Sequence, residues 1–167
     1  MSDKNGGVVF TKLEMGRMTA AADGDVVLFV VGMRINRFWA VHRWLPVMYA
    51  MPMMLRELGK DRTAGLLHHV LGTSDPRNFY VIQYWESKEK LLAYAAASGK
   101  RHQPWWARIN RYARKSKGHV GIWHETYLVP AGSYETIYGD MPAYGLGKAY
   151  GVRPLGEGVR ARDRLAV

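Results

Sequence analysis

After Asp25 the chain runs VVLFVVGMRI, dense in β-branched and aromatic side chains and too short for anything but a strand. Val26, Leu28 and Val30 alternate with Val27, Phe29 and Val31, so both faces of that strand are apolar. The strand ends at Asn36–Arg37. The next segment, RFWAVHRWLPVMYAMPMMLREL, reads as a helix bent or restarted at Pro46 and Pro52, since each proline removes an N–H from the ladder. Gly59, Lys60 and Asp61 stop it. Two apolar runs, LLHHVLGT (66–73) and FYVIQYW (79–85), flank the turn SDPRN and predict an antiparallel hairpin. Ser87 caps a helix over Lys88–Ala97, with Glu89 in its first turn. Ser98–Gly99 interrupts that helix, and Pro104 restarts it as PWWARINRYARKSK, up to Gly118. HVGIWHETYLV (119–129) is a further strand, stopped by Pro130, and SYETIYGDM (133–141) is a candidate short strand.

The order strand, helix, strand, strand, helix, strand is the split βαβ, ferredoxin-like pattern of an α+β protein, with both helices on one face of an antiparallel sheet. Residues 25–147 form this domain in the sequence reading. Residues 1–24 read as a leader arm without sustained periodicity, the chain after Pro142 as mobile, and residues 148–167 as a flexible basic tail. A doubly apolar first strand needs a second cover, and a second copy of the same sheet is the simplest one. The expected partner is therefore this chain itself, as a homodimer.

Composition narrows the chemistry. Of 167 residues 48% are apolar and 12% aromatic, and none is cysteine, which excludes a disulfide scaffold, a thiolate metal site and a cysteine nucleophile. MSDKNGGVVFTKLEMGRM does not read as a signal peptide, and the longest uncharged apolar run, Trp44 to Leu55, is too short for a bilayer. The expected compartment is the cytoplasm, without a membrane partner. The net charge is +10, and seven positive residues and no acid lie between Lys100 and Lys117. With Trp105, Trp106 and Tyr112 interleaved, that run has the ingredients of a single-strand stacking surface. No nucleic-acid recognition motif accompanies it, so a nucleic-acid or ligand-binding module is the rival reading and a solvated helix face the simpler one.

Six histidines are the candidates for acid–base work, and none has the spacing of a zinc site. His68 and His69 point to opposite faces of their strand, so at most one faces a pocket. His102 follows a helix break and precedes Pro104-Trp105-Trp106. His124 shares a strand face with Ile122 and Thr126 and is read as pocket-facing. A histidine beside aromatics at the mouth between helix and sheet serves as a general base or an axial haem ligand. The excess of tryptophan and methionine in the first helix suits a dimer core, and equally the wall of a pocket for a flat organic molecule. Trp39, His42, Met48, Met51, Gln83, Trp85, Tyr94 and Trp105 are the residues expected to line such a pocket, with Asn36 and His102 at its polar end.

The stretches GMRINRFWAVHRWLPVMYAMPMMLREL, FYVIQYWESKEKLLAYA, RHQPWW and GIWHETYLVPAGSYETIYGDMP resemble the family catalogued as DUF4188, grouped with monooxygenase-like dimeric α+β barrels of the antibiotic-biosynthesis-monooxygenase class. The resemblance covers roughly residues 25–147. It implies that fold, a homodimer, and an oxidative role on a small organic substrate. Members of the wider class that lack a cofactor oxidise electron-rich aromatic substrates with dioxygen. Another branch binds haem and degrades it, and those enzymes use an asparagine ending the first strand, a tryptophan in the second helix and a following histidine. Asn36 and His102 match the first and third of these by position, and Tyr94 stands where the tryptophan would be. The expectation is a monooxygenase with catalytic residues His102, His124 and Asn36, and with either no cofactor or haem on His102 or His124.

Overall fold

The computed structural model describes residues 12–96, 111–112, 114–115, 117–156, 161 and 165. Their regular elements are β1 (Glu14–Ala20), β2 (Val26–Ile35), α1 (Val41–Lys60), β3 (Leu66–Asp75), β4 (Asn78–Trp85), α2 (Lys88–Ala96), β5 (Val120–Val129), β6 (Tyr138–Met141), α3 (Gly145–Tyr150) and β7 (Val152–Pro154). The main sheet is antiparallel with strand order β3-β4-β2-β5, which is the ferredoxin-like arrangement of a split βαβ unit. β2 is central. It pairs with β4 from Val27 opposite Trp85 to Arg34 opposite Asn78, and with β5 over its whole length.

Register assigns every side chain to a face. Val27, Phe29, Val31, Met33 and Ile35 lie on the helix side with Val81, Gln83, Trp85, Val120, Ile122, His124, Thr126 and Leu128. α1 packs there through Val47, Ala50, Met51, Met54, Leu55 and Leu58, a stripe of helical period, and α2 through Leu91. Each fully buried aliphatic side chain of this core contributes about 1.5–3 kcal/mol. α1 is a single helix from Val41 to Lys60 with both prolines inside it, not two pieces. The carbonyls four residues earlier, on His42 and Met48, lose their usual intrahelical donors. The buried stripe runs from Val47 to Leu58 across Pro52, half-buried Trp44 packs on the same core before Pro46, and this packing holds the helix together. The helical residues 111–112 and 114–115 precede Gly118 as expected, and Tyr112 is half-buried against the main core.

The hairpin turn is built by Asp75. Its carboxylate accepts from the backbone N–H of Arg77 (2.6 Å) and of Asn78 (3.0 Å). These bonds and the Asn78 amide hold the carboxyl below the usual carboxylate range. Ser87 caps α2 by accepting from the N–H of Lys90 (3.2 Å).

Two expectations are corrected. The supposed leader arm contains β1, which pairs with β6 and β7 in a second, three-stranded sheet. The chain read as mobile after Pro142 forms α3 and β7, so the start of the supposed basic tail is tied to that sheet. The second correction follows from the first. The sheet face away from the helices is not bare: Ala20, Ala22, Val26, Tyr138 and Leu146 form a second core there, joined by Leu28, Tyr84, Tyr150 and Val152. The strands were missed because EMGRMTA and VRP carry little apolar periodicity and pair with partners distant in sequence.

This second core makes the region after Tyr144 structural. Leu146→Ala removes a buried side chain, a change that costs about 2–5 kcal/mol in a core. The expected melting temperature falls by about 5 °C or more. A chain ending at Tyr144 should melt lower still, because it loses Leu146 together with Tyr150 and β7. Calorimetry of both variants checks this, and melting temperatures within a degree of the parent would show that the second core carries no stability.

Candidate active site

The sheet's helix side is not filled evenly. Where β2, β4 and β5 pass under α2 and the last turns of α1, a cavity of 410 Å³ opens between helices and sheet. Its floor is a cross-strand row, Gln83 on β4, Phe29 on β2 and Thr126 on β5, set opposite one another by the pairing register. His124 lies in the neighbouring row, opposite Val31, and its ring meets that of Phe29 at 5.6 Å. Met54 comes from α1; Lys88, Leu91, Leu92, Tyr94 and Ala95 come from α2; on the β5 side His124, Thr126 and Leu128 border the cavity and are exposed. The wall is thus largely apolar, with a few convergent polar groups, as small-molecule sites are.

Gln83 is the buried polar residue of the described core, 1% exposed. Its Oε1 accepts from the indole Nε1–H of Trp85 (3.0 Å), and its Nε2 is buried with no hydrogen-bond partner among the described residues. Trp85 is itself fully buried, with the Tyr94 ring against it at 5.4 Å. Trp85 therefore supports the site from beneath and does not line the cavity.

The other expected site residues divide. Met48 and Met51 border a separate apolar cavity of 360 Å³ under the proline-containing helix, with Met33, Pro52, Leu71, Phe79 and Val81. Asn36 lies with neither cavity. Along β2 it stands five residues beyond Val31, which faces His124, a separation of roughly 17 Å. Its Nδ2 donates to the Gly118 carbonyl (3.0 Å), and its backbone N–H donates to that of His119 (2.9 Å). Asn36 thus joins the end of β2 to the start of β5. Trp39 precedes α1, is 69% exposed and sits edge-on to His119 at 5.2 Å. His42 is exposed in the first turn of α1. Expectations for His102 and Trp105 lie outside the described residues. Phe29, Met54, Lys88, Leu91, Leu92, Thr126 and Leu128 were not anticipated. Register arithmetic would have found Phe29 and Thr126, since both share the row of Gln83.

Among the described residues no group of three or more His, Asp or Glu side chains could hold a metal ion. A haem needs an axial imidazole and cationic partners for two propionates. His124 offers the imidazole, but its ring packs on Phe29, and Lys88 is the one cation on this cavity's wall among the described residues. Among the described residues His124 is the imidazole this cavity would offer a haem, and the other expected ligand, His102, lies outside them. No helix among the described residues is long and apolar enough to cross a membrane.

Several solved structures are similar to this chain at low identity. The cofactor-independent oxygenase SnoaB of Streptomyces nogalater is 13% identical over 62% of this chain and 91% of its own, with a TM-score of 0.41. The aldoxime dehydratase OxdRE, determined with butyraldoxime, is 14% identical over 85% of this chain, with a TM-score of 0.58. The chain spans 44% of the dehydratase's length. A dimeric ferredoxin-like protein from an uncultured marine organism is 15% identical over 65% of this chain and 91% of its own, with a TM-score of 0.40. A search of curated protein sequences finds no match. The family model described as monooxygenase af470-like matches residues 26–146, from the first residue of β2 into α3. A match that runs through the whole split βαβ unit and the cavity it frames makes the chain a member of the monooxygenase af470-like family.

Proposed function

We propose that the protein is an oxidoreductase, a monooxygenase that uses the cavity between α1, α2 and the sheet to oxidise a small, flat organic substrate with dioxygen. The observation that carries this reading is the placement of His124 on the wall of a largely apolar cavity, within a family of monooxygenase-like proteins. In this mechanism the His124 imidazole removes a proton from an acidic C–H of the bound substrate. The resulting carbanion passes electrons to dioxygen and forms a C–O bond. Loss of water then completes the change of CH2 and O2 into C=O and H2O. The protein's part is to desolvate, orient and stabilise charge. Phe29, Leu91 and Leu128 supply the apolar walls. The Cα atoms of Gln83 and His124 are roughly 12 Å apart across two strand spacings, which leaves room for fused rings between their side chains.

Tyr94 has a different part. Burial, with the Glu57 carboxylate adding to it, pushes its hydroxyl up to about 12. It therefore stays protonated at working pH and acts as a donor, not as the base.

We also assign the uncovered part of the far sheet face to a second copy of the chain. Val30, Tyr80, Ile82 and Trp123 are half-buried there, beyond the second core, and Trp123 lies flat over Gly32, where a Cβ would meet its ring at 2.5 Å. Flat aromatic and branched side chains on a sheet suit sheet-on-sheet association about a two-fold axis.

Three measurements test these assignments. Anthrone, a flat molecule with an acidified CH2, should be oxidised to anthraquinone with uptake of one O2. His124→Ala should lower that rate by roughly 10²-fold or more without changing the melting temperature; an undiminished rate would remove His124 as the base. In sedimentation the protein should run at about twice its 19.0 kDa chain mass. Trp123→Asp should run as a monomer, and a monomeric parent would overturn the dimer. The third measurement follows stability with pH. An unfolded tyrosine ionises near 10, so between roughly pH 10 and 12 the unfolded chain sheds a proton that folded Tyr94 retains. Stability is lost as pH rises through that window, by up to about 1.4 kcal/mol per pH unit. Tyr94→Phe should show a shallower alkaline decline, and an identical slope would mean that Tyr94 titrates normally.

A further inference from the structure

Gln83 stands on the floor of the cavity with one half of its amide committed and the other half free. Indole Nε1–H is a donor only, so the atom that receives it at 3.0 Å must be the carbonyl oxygen of the Gln83 side chain. That single bond removes the ambiguity between oxygen and nitrogen that a free glutamine would have. It leaves the NH2 group as the unpaired end, and Nε2 has no partner among the described residues despite its burial. Trp85 is fully buried and held against Tyr94, so the clamp is itself rigid. A buried donor without an acceptor is costly, and that cost is relieved when a bound molecule brings an acceptor.

We propose that Gln83, clamped by Trp85, is a specificity-determining residue: a one-way hydrogen-bond donor that selects ligands carrying a carbonyl or other acceptor oxygen on an apolar ring system. The proposal rests on the reading that this cavity is the substrate site, and it does not need the oxidation step. The neighbouring polar groups support the assignment. Thr126 lies on the other side of Phe29 in the same row, and His124 lies one row along. Neither shares a strand with Gln83, so the donor addresses one edge of a bound ring and the base the opposite edge. Nε2 is closed to water in the structure, so an acceptor reaches it only as a bound molecule displaces the apolar side chains that line the cavity. A ligand of the same shape without an acceptor leaves the donor unpaired, which is the arrangement that gives strong discrimination.

The test compares 1-tetralone with tetralin, two molecules of nearly the same shape that differ in one carbonyl oxygen. Binding is followed by tryptophan fluorescence on the full chain. The parent should bind the ketone roughly tenfold or more tightly than the hydrocarbon. Gln83→Met keeps the length and removes the donor, so the ratio should fall to near one, chiefly through weaker ketone binding. That variant leaves the indole N–H without an acceptor. The double variant Gln83→Met with Trp85→Phe removes both partners and should also give a ratio near one. His124→Ala should keep the preference while losing anthrone oxidation. Equal binding of the two ligands by the parent would overturn the proposal, as would a ketone preference that survives in both Gln83 variants. Failure of the parent to bind either ligand would overturn it too, because the cavity would not be a ligand site. A ketone preference without anthrone oxidation in the parent would support Gln83 as the selector and sink the oxygenase reading alone.

Discussion

β2 is hydrogen-bonded along both edges and apolar on both faces, and the rest of the molecule is arranged around that constraint. A strand of this kind must be covered twice, since leaving either face in water would forfeit the burial that holds it. On one side the cover is α1 and α2, reached by the crossovers that a split βαβ unit requires. On the other side the cover comes from β1, β6, β7 and α3, elements that flank that unit in sequence. Their sheet closes over Val26, Leu28 and Tyr84 at one end of the face. Val30 and Trp123, further along, are left half-buried, and that is the region proposed for a second copy.

The same constraint sets where a cavity forms. α1 presses its stripe on the middle of the sheet, and α2 is short and reaches the sheet through Leu91. The floor between them is β4, β2 and β5 at the level of Phe29. A glutamine at that level cannot be a packing choice alone, because a buried amide is expensive unless both of its ends are paired. One end of Gln83 is paired by Trp85, two residues along the same strand and therefore on the same face. Placement of the indole thus decides which half of the amide faces outward.

The strands of the main sheet were legible because β-branched and aromatic runs bounded by turn residues have few alternatives. His124 was legible by parity, since alternation ties it to Ile122 and Thr126 whichever face is inward. β1, α3 and β7 were not: Gly16 interrupts the first, GLGKAY is a poor helix by propensity, and the pairing of Thr19 with Arg153 spans most of the chain. Pro46 and Pro52 signalled a bend or a restart, and of the two the restart is excluded, since tertiary packing of the apolar stripe kept the helix continuous. Asn36 misled. A polar residue ending a strand next to an aromatic-rich helix looks like part of a site, yet strand direction carries it roughly 17 Å from His124. Its amide is used to hold the start of β5.

The distinction between strand ends and cross-strand rows matters for the chemistry. Residues at the ends of strands are positioned by loops, whose geometry varies and moves. Gln83, Phe29 and Thr126 are positioned by the spacing of three hydrogen-bonded strands, and His124 by its place two residues from Thr126. Their separations are then set by backbone hydrogen bonds, not by loop conformation. A proposed base and a proposed donor held in this way need little reorganisation when charge develops on a bound molecule, which is where preorganised sites gain most over water. The helices, by contrast, meet the cavity through Met54, Leu91 and Leu92, apolar side chains with freely rotating ends. In the proposed site a fixed floor under such an adaptable roof would discriminate by acceptor position and tolerate variation in ring shape.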